Sequence, residues 1–373
     1  MRVAVNTRFL LPDKLEGIGW FTWEVTRRLV ARYPDWEFVF LFDRPYDPAF
    51  ICGPNVTPVV VPPPARHPVL WWAWFELSLP LALRRYRPDV FFTPDGYCSL
   101  AARVPTVMVA HDIAHVHFPD QVPVLVRRYY DYFVPRYLQR AERLITVSQF
   151  SKNDIVGHYG INPAKIDVAC NGCRETFLPL SETEKQAVRA QYAGGLPYFF
   201  YLGAVHPRKN VDRLIEAFSL FKKQTGSPVK LLIGGRLSWQ TGPVKAALEA
   251  SAYRNDIRLL GYIPDEALPG LTGAALALTY VSLFEGFGVP LLEAMHTETP
   301  IITSATSSLN EVAGDAALLV DPTDARAIAQ AMEQLYFDPG FCHFLAENGK
   351  KRRAFYTWDL AYKIIEENIL HLV

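Results

Sequence analysis

Short β-branched and aromatic runs alternate with longer amphipathic stretches along the whole chain, and this alternation confines it to parallel sheets wrapped by helices. In the first half the runs at 2–6, 37–42, 57–61, 89–93, 106–110, 143–147 and 165–170 read as strands. The alternation restarts at 198–203 and continues at 229–233, 257–259, 275–279 and 300–303, so a second unit repeats the plan of the first. Between them, residues 177–183 are rich in turn and cap residues, and Ser181 is placed to N-cap a helix over 182–191. The expected organisation is α/β, with one doubly wound Rossmann-like domain over 1–180 and another over 181–357. Such domains present loops at the carboxyl ends of their strands, and two facing one another leave a cleft for a ligand.

Composition agrees with two cores. At 373 residues the chain is too long for one ordinary core, and half of its residues are hydrophobic. Basic and acidic side chains number 38 each, so the basic footprint of a nucleic-acid binder is missing and any phosphate site must be local. No signal peptide and no apolar run of about 18 residues is present, which points to a cytoplasmic protein. Cys170 and Cys173 form a lone C-x-x-C, two ligands short of a structural zinc site, so no metal is expected there.

The segment that carries chemistry is Glu285-Gly286-Phe287-Gly288-Val289-Pro290-Leu291-Leu292-Glu293. Pro290 suits the first helical position, and the glycines before it allow a ligand close to the backbone. First-turn amides with the dipole behind them then make an anion site. With Glu285 in the loop and Glu293 in the first turn, two carboxylates can grip separate polyols on either side of a phosphate, which is the layout of a sugar nucleotide. Leaving-group charge needs neutralising, yet no two aspartates are spaced as the metal-binding D-x-D. The charge therefore falls to Arg208 and Lys209, which follow the strand at 198–203 and precede a helix starting near Asn210; a basic pair there opposes the dipole and calls for an anion. In the first half, His111 stands at the carboxyl end of the strand at 106–110, where open α/β sheets keep their ligands. The segment Gly17-Ile18-Gly19 opens a helix but lies about ten residues past the first strand, so it is no dinucleotide fingerprint.

The E-x7-E string resembles the signature of the retaining glycosyltransferases of family 4, which have the GT-B fold, and the resemblance extends over nearly the whole chain. It implies transfer of a sugar from a nucleotide-linked donor to an acceptor hydroxyl, with no cofactor beyond the GDP- or UDP-linked substrate. In these terms Glu285 faces the donor sugar, Glu293 takes the ribose, and Gly286, Phe287, Gly288, Val289 and Leu291 line the donor site. Ile263, in Leu260-Gly261-Tyr262-Ile263-Pro264, lies in the loop that meets the base. Gly17 and Gly19 close over the donor phosphates or meet the acceptor, and His111 lies beside the reacting sugar. The family's last helix crosses back to the first domain, a role that falls to 358–373. Ala204 stands where many members carry arginine, and Glu298 replaces a usual helix-ending glycine. Pro207-Arg208-Lys209-Asn210 and His111-Asp112 look most like mannosyltransferases of surface polysaccharide assembly, which inclines the donor towards GDP-mannose.

Lipid-linked acceptors are common in the family. The aromatic run 71–75 with Arg84, Arg85 and Arg87 accordingly has two readings, core packing or a peripheral anchor at the inner face of a membrane. A nucleotide-sugar epimerase or phosphorylase on the same fold, and a non-catalytic nucleotide-sugar-binding partner subunit, are the alternative functions. The joint presence of His111, Lys209, Glu285 and Glu293 argues against the last.

Overall fold

The computed structural model describes residues 1–12, 15–236 and 241–373. The chain forms two compact units, one built from Met1–Asn171 with Thr357–Val373 and the other from Gly172–Tyr356.

The first unit holds a parallel sheet of β1 (Arg2–Asn6), β2 (Glu37–Phe42), β3 (Val56–Val60), β4 (Val90–Thr93), β5 (Thr106–Val109), β6 (Arg143–Thr146) and β7 (Ile166–Val168). Its order is β3-β2-β1-β4-β5-β6-β7, and Val3 lies opposite Phe38 on one side and Val90 on the other. Helices cover both faces of such a sheet, so its central strands are near-continuous apolar runs rather than alternating ones. Val3, Ala4, Val5, Phe38, Val39, Phe40, Phe91 and Phe92 are accordingly sealed from solvent.

The aromatic run is partly buried and partly exposed. Trp74 and Phe75 are fully buried, and Trp71 packs edge-on against Tyr97 and Tyr129. The indole nitrogens of Trp71 and Trp74 donate to the carbonyls of Ala65 and Val61, each at 2.8 Å. Trp72 instead projects outward with Val69, Leu70, Leu77 and Leu81. The helix Trp358–Leu370 belongs to this unit. Trp358 meets Phe21 edge-on, Asp359 pairs with Arg28 at 2.7 Å, and Asn368 donates to Asp167 at 2.9 Å.

The second unit holds β8 (Tyr198–Leu202), β9 (Lys230–Gly234), β10 (Ile257–Gly261), β11 (Ala277–Tyr280), β12 (Ile301–Ser304) and β13 (Leu318–Val320) in the order β10-β9-β8-β11-β12-β13. Strand β13 was not expected. The helix Glu182–Ala193 begins with a full capping box between Ser181 and Glu184.

The division falls at Asn171/Gly172 rather than near residue 180. The intervening segment is committed to the second unit through Arg174, which pairs with Glu293, and through Leu180, which lies against Gly273.

In both sheets the first strand is flanked by the second and the fourth. This is a topological switch point, where connections leave in opposite directions and open a crevice at the carboxyl ends.

Candidate active site

The crevice of the second unit carries interlocked charges. After β8 the chain makes a 3-10 turn, Pro207–Lys209, and Asn210 at φ +60° starts the helix Val211–Thr225. Asn210 is among the few non-glycine residues that adopt this conformation readily, and its amide is held by the carbonyls of Val281 and Pro322. Lys209 is thereby aimed across to the end of β11, where Nζ donates to the Tyr280 hydroxyl at 2.8 Å and pairs with Glu285 Oε1. Tyr280 donates to the same carboxylate oxygen at 2.9 Å. Arg208 Nη1 lies 3.7 Å from Glu285 Oε2 and donates to the Phe284 carbonyl at 2.8 Å. Ser307 and Ser308 hold the Glu285 backbone on the other side.

Burial would push the Glu285 carboxyl up, but Lys209 and then Arg208 outweigh it and hold its pKa at about 2. Burial and the same two cations push His206 down to about 4, so it adds no charge at neutral pH. Two cations thus converge on one carboxylate.

The loop and helix after Glu285 differ in detail from expectation. Gly288 has φ +100°, and a side chain there would strike Leu309 at 2.6 Å, so glycine is required on both counts. The helix runs Val289–His296, which makes Pro290 its second residue and places Glu293 one turn in rather than in the first turn. The side chains of Phe287 and Leu291 are buried, and the Leu291 amide is spent on the Gly288 carbonyl at 3.0 Å. These two side chains pack within the loop and helix start. Ile263 is likewise turned inward against Gly234, which leaves its backbone as the part able to meet a base. Gly286 is buried beside Glu285, and Val289 is half-buried at the helix start. Glu293 is only 5% exposed, and its Oε1 accepts from Arg174 at 2.9 Å. Burial raises its pKa, with Arg174 opposing.

In the first unit His111 lies two residues beyond β5. Its Nε2 bonds the Pro94 carbonyl at 2.9 Å. A carbonyl can only accept, so Nε2 carries the proton and Nδ1 is the acceptor. Burial lowers the pKa of His111 and keeps the ring neutral at physiological pH. Its backbone carbonyl accepts from Ser151, whose amide is capped by Ser148, so the S-x-x-S helix entry fixes the position of His111. Gly17 and Gly19 form the first turn of the helix Gly17–Arg32. A Cβ on Gly19 would meet the Phe9 carbonyl at 2.8 Å, which gives this glycine a packing reason; Gly17 has open space around it.

Sequence reasoning missed Tyr280, Arg174 and an ion pair at the first unit's switch point, Arg8 with Asp95. Their signal was position alone, since Arg8 and Asp95 follow β1 and β4 as Lys209 and Glu285 follow β8 and β11. Among the described residues no cluster of three histidine, cysteine or acidic side chains could hold a metal ion. The five cysteines are not disulfide-bonded.

Residues 15–176 match Glycosyltransferase Family 4, and residues 182–352 match Glycosyl transferases group 1. The O-antigen chain mannosyltransferase B of Escherichia coli is 32% identical over 280 residues, 74% of this chain and 73% of that protein. The chain belongs to glycosyltransferase family 4. Another relative of this transferase is the O-antigen chain mannosyltransferase RfbU of Salmonella typhimurium, 25% identical over 77% of this chain and 76% of that one. Among solved structures, the sucrose-phosphate synthase of Thermosynechococcus elongatus superposes with TM-score 0.80 at 18% identity, covering all of this chain and 98% of the other. Anabaena HepE, solved with UDP and glucose, superposes with TM-score 0.77 at 17% identity over the full length of both. The fold is GT-B, and the protein is a glycosyltransferase.

Proposed function

We propose that this glycosyltransferase moves mannose from a nucleotide donor, GDP-mannose foremost, to a hydroxyl of a saccharide or lipid-linked acceptor in polysaccharide assembly, with retention of configuration and without a metal. The observation that carries this reading is the Arg208–Lys209–Glu285–Tyr280 cluster at the switch point of the second unit. The named activities of the relatives support mannose.

In this reading the donor diphosphate lies against Arg208 and Lys209, which are already oriented and need little reorganisation as leaving-group charge builds. The amides of Gly286, Gly288 and Val289 add to that field, Glu293 takes the ribose, and the backbone at Ile263 meets the base. Glu285, ionised at any physiological pH, opposes the positive charge that develops on the sugar. His111 accepts a sugar hydroxyl through Nδ1, and Gly17 and Gly19 bring backbone close to donor or acceptor. The bond between the anomeric carbon and the phosphate oxygen breaks with its electrons passing to the diphosphate. The acceptor oxygen then bonds to the same face, and its proton passes to the departing phosphate.

Purified protein incubated with GDP-mannose should hydrolyse it slowly, and with a suitable saccharide should form a product of retained configuration. No hydrolysis by the chain alone would favour a partner-subunit role. An inverted product would reject the retaining reading, and loss of activity on chelation with rescue by manganese would reject the metal-free one. Thermal shift with GDP and UDP tested separately decides the base, since a ligand bound only by the native state raises Tm.

A lipid-linked acceptor would bring the protein to the inner face of a membrane. Among the described residues no helix is long and apolar enough to cross one. The exposed Val69, Leu70, Trp72, Leu77 and Leu81, followed by exposed Arg84, Arg85 and Arg87, support peripheral contact with an anionic lipid surface. Co-sedimentation with anionic but not neutral vesicles, lost on Leu81→Asp, is the expected result.

A further inference from the structure

Arg174 is held on three sides. Nη2 donates to Glu293 Oε1 at 2.9 Å, Nη1 lies 3.2 Å from Asp265 Oδ1, and the guanidinium stacks over the buried ring of Phe177 at 4.8 Å. Its side chain is 13% exposed and that of Glu293 is 6% exposed, whereas Asp265 is half open to solvent at 47%. The inner arm of the guanidinium therefore works in a much drier setting than the outer one. The hydrogen bond from Arg174 Nη2 goes to one of the two Glu293 oxygens, Oε1.

A cis-diol is recognised by a carboxylate that offers two acceptor oxygens. A carboxyl group as deeply buried as Glu293 tends towards its protonated form, in which one oxygen becomes a donor. A fixed cation beside it, here Arg174, opposes that shift and restrains the side-chain torsions.

Building on the ribose role proposed for Glu293, we infer that Arg174 is a positioning residue for nucleotide recognition: clamped by Asp265 and Phe177, it orients the Glu293 carboxylate as a two-oxygen acceptor and so sets the preference for ribonucleotides over their deoxy analogues. Arg174 itself touches no substrate in this arrangement. Its influence passes through Glu293 and has nothing to act on once the ribose hydroxyls are removed.

The test is calorimetric titration of the full chain with UDP, GDP and their 2′,3′-dideoxy analogues, following whichever base binds more tightly. Wild type should favour the ribonucleotide by about tenfold or more, and Glu293→Gln should erase most of that preference. Arg174→Gln should reduce the preference to about threefold or less while leaving the Kd of the dideoxy form within about twofold, and Arg174→Lys should restore much of it. The double variant should behave like Glu293→Gln alone, because the two residues act as one unit. Equal weakening of both nucleotides by Arg174→Gln, or multiplicative effects in the double variant, would overturn the inference and leave the ribose role of Glu293 standing. A preference unchanged by Glu293→Gln would overturn both. If Arg174→Gln does not fold, Asp265→Asn releases only the exposed arm. It should lower the preference by about twofold, and an unchanged preference would count against the clamp.

Discussion

The switch points of the two units share a ground plan and use it differently. In each, the turn after the first strand supplies a cation and the turn after the fourth supplies an acid, Arg8 with Asp95 in one unit and Lys209 with Glu285 in the other. Arg8 and Asp95 are sealed, with side chains 5% and 1% exposed, and the guanidinium packs against the rings of Phe9, Phe75 and Tyr97. Burial works against the charge of Arg8, yet Asp95 and Tyr97 more than offset it and raise its pKa. Asp95 also accepts from Asn6, and every charge there has been answered within the protein. In the second unit a further cation, Arg208, also faces the carboxylate and is 18% exposed at the side chain. A pair of opposite charges sealed under aromatic rings makes a structural rivet; two cations on one carboxylate nearer the rim make the site proposed above for the donor diphosphate.

The largest expected effect tests the sealed pair. Arg8→Ala strands a buried carboxylate and should cost about 3–5 kcal/mol of stability in the first unit. Calorimetry checks this, and nucleotide binding by the remaining folded protein should be unchanged. If the variant proved neutral in stability, the contrast between rivet and donor site would fail. Lys209→Ala should instead cut turnover by at least ~100-fold, about 2.7 kcal/mol of transition-state stabilisation, and steady-state kinetics near wild type would remove Lys209 from the chemistry. Glu293→Gln should weaken nucleoside diphosphate binding by about tenfold with a smaller effect on kcat, and unchanged affinity would reject the ribose assignment.

Acid sharpens the contrast further. His206 titrates near 4 in the fold against about 6.5 unfolded, so between these values the unfolded chain binds more protons and stability falls as pH falls. Glu285, at about 2 against about 4.5 unfolded, continues the loss between pH 4.5 and 2. Glu293 works in the opposite sense, since its pKa is raised in the fold. His206→Gln should therefore flatten the upper part of the decline in Tm, and an unaltered profile would mean that His206 is not its source. The smallest effect concerns Glu298, which has φ +57° at the end of the helix Val289–His296 and an ion pair to Lys350 at 3.1 Å. Glu298→Gly should stabilise the protein by up to about 1 kcal/mol through relief of the left-handed backbone, less the small loss of that pair.

The alternation of apolar runs and amphipathic stretches was enough to place every strand but β13, because parallel sheets demand apolar segments whatever their partners. The Glu285–Glu293 string and the Arg208–Lys209 pair were legible for a similar reason: glycine, proline and charge at fixed local spacing. Partnerships across the sheet were not. Tyr280 lies 71 residues from Lys209, and Arg174 lies 119 from Glu293, and nothing local records that they meet. The helix start at Val289 was misjudged by one residue, since a positive φ at Gly288 fixes it and many glycines do without one. The Glu298 departure, by contrast, was visible in sequence as a missing glycine, and the backbone adopts the glycine-type conformation without one.

The helix Trp358–Leu370 packs with the first unit, although the chain reaches it only after passing through the second. On the ribosome, the amino-terminal half must wait with Phe21, Arg28 and Asp167 uncovered until nearly 190 further residues have emerged. Deleting the last helix should consequently damage the half of the molecule translated first and spare the half translated just before the cut.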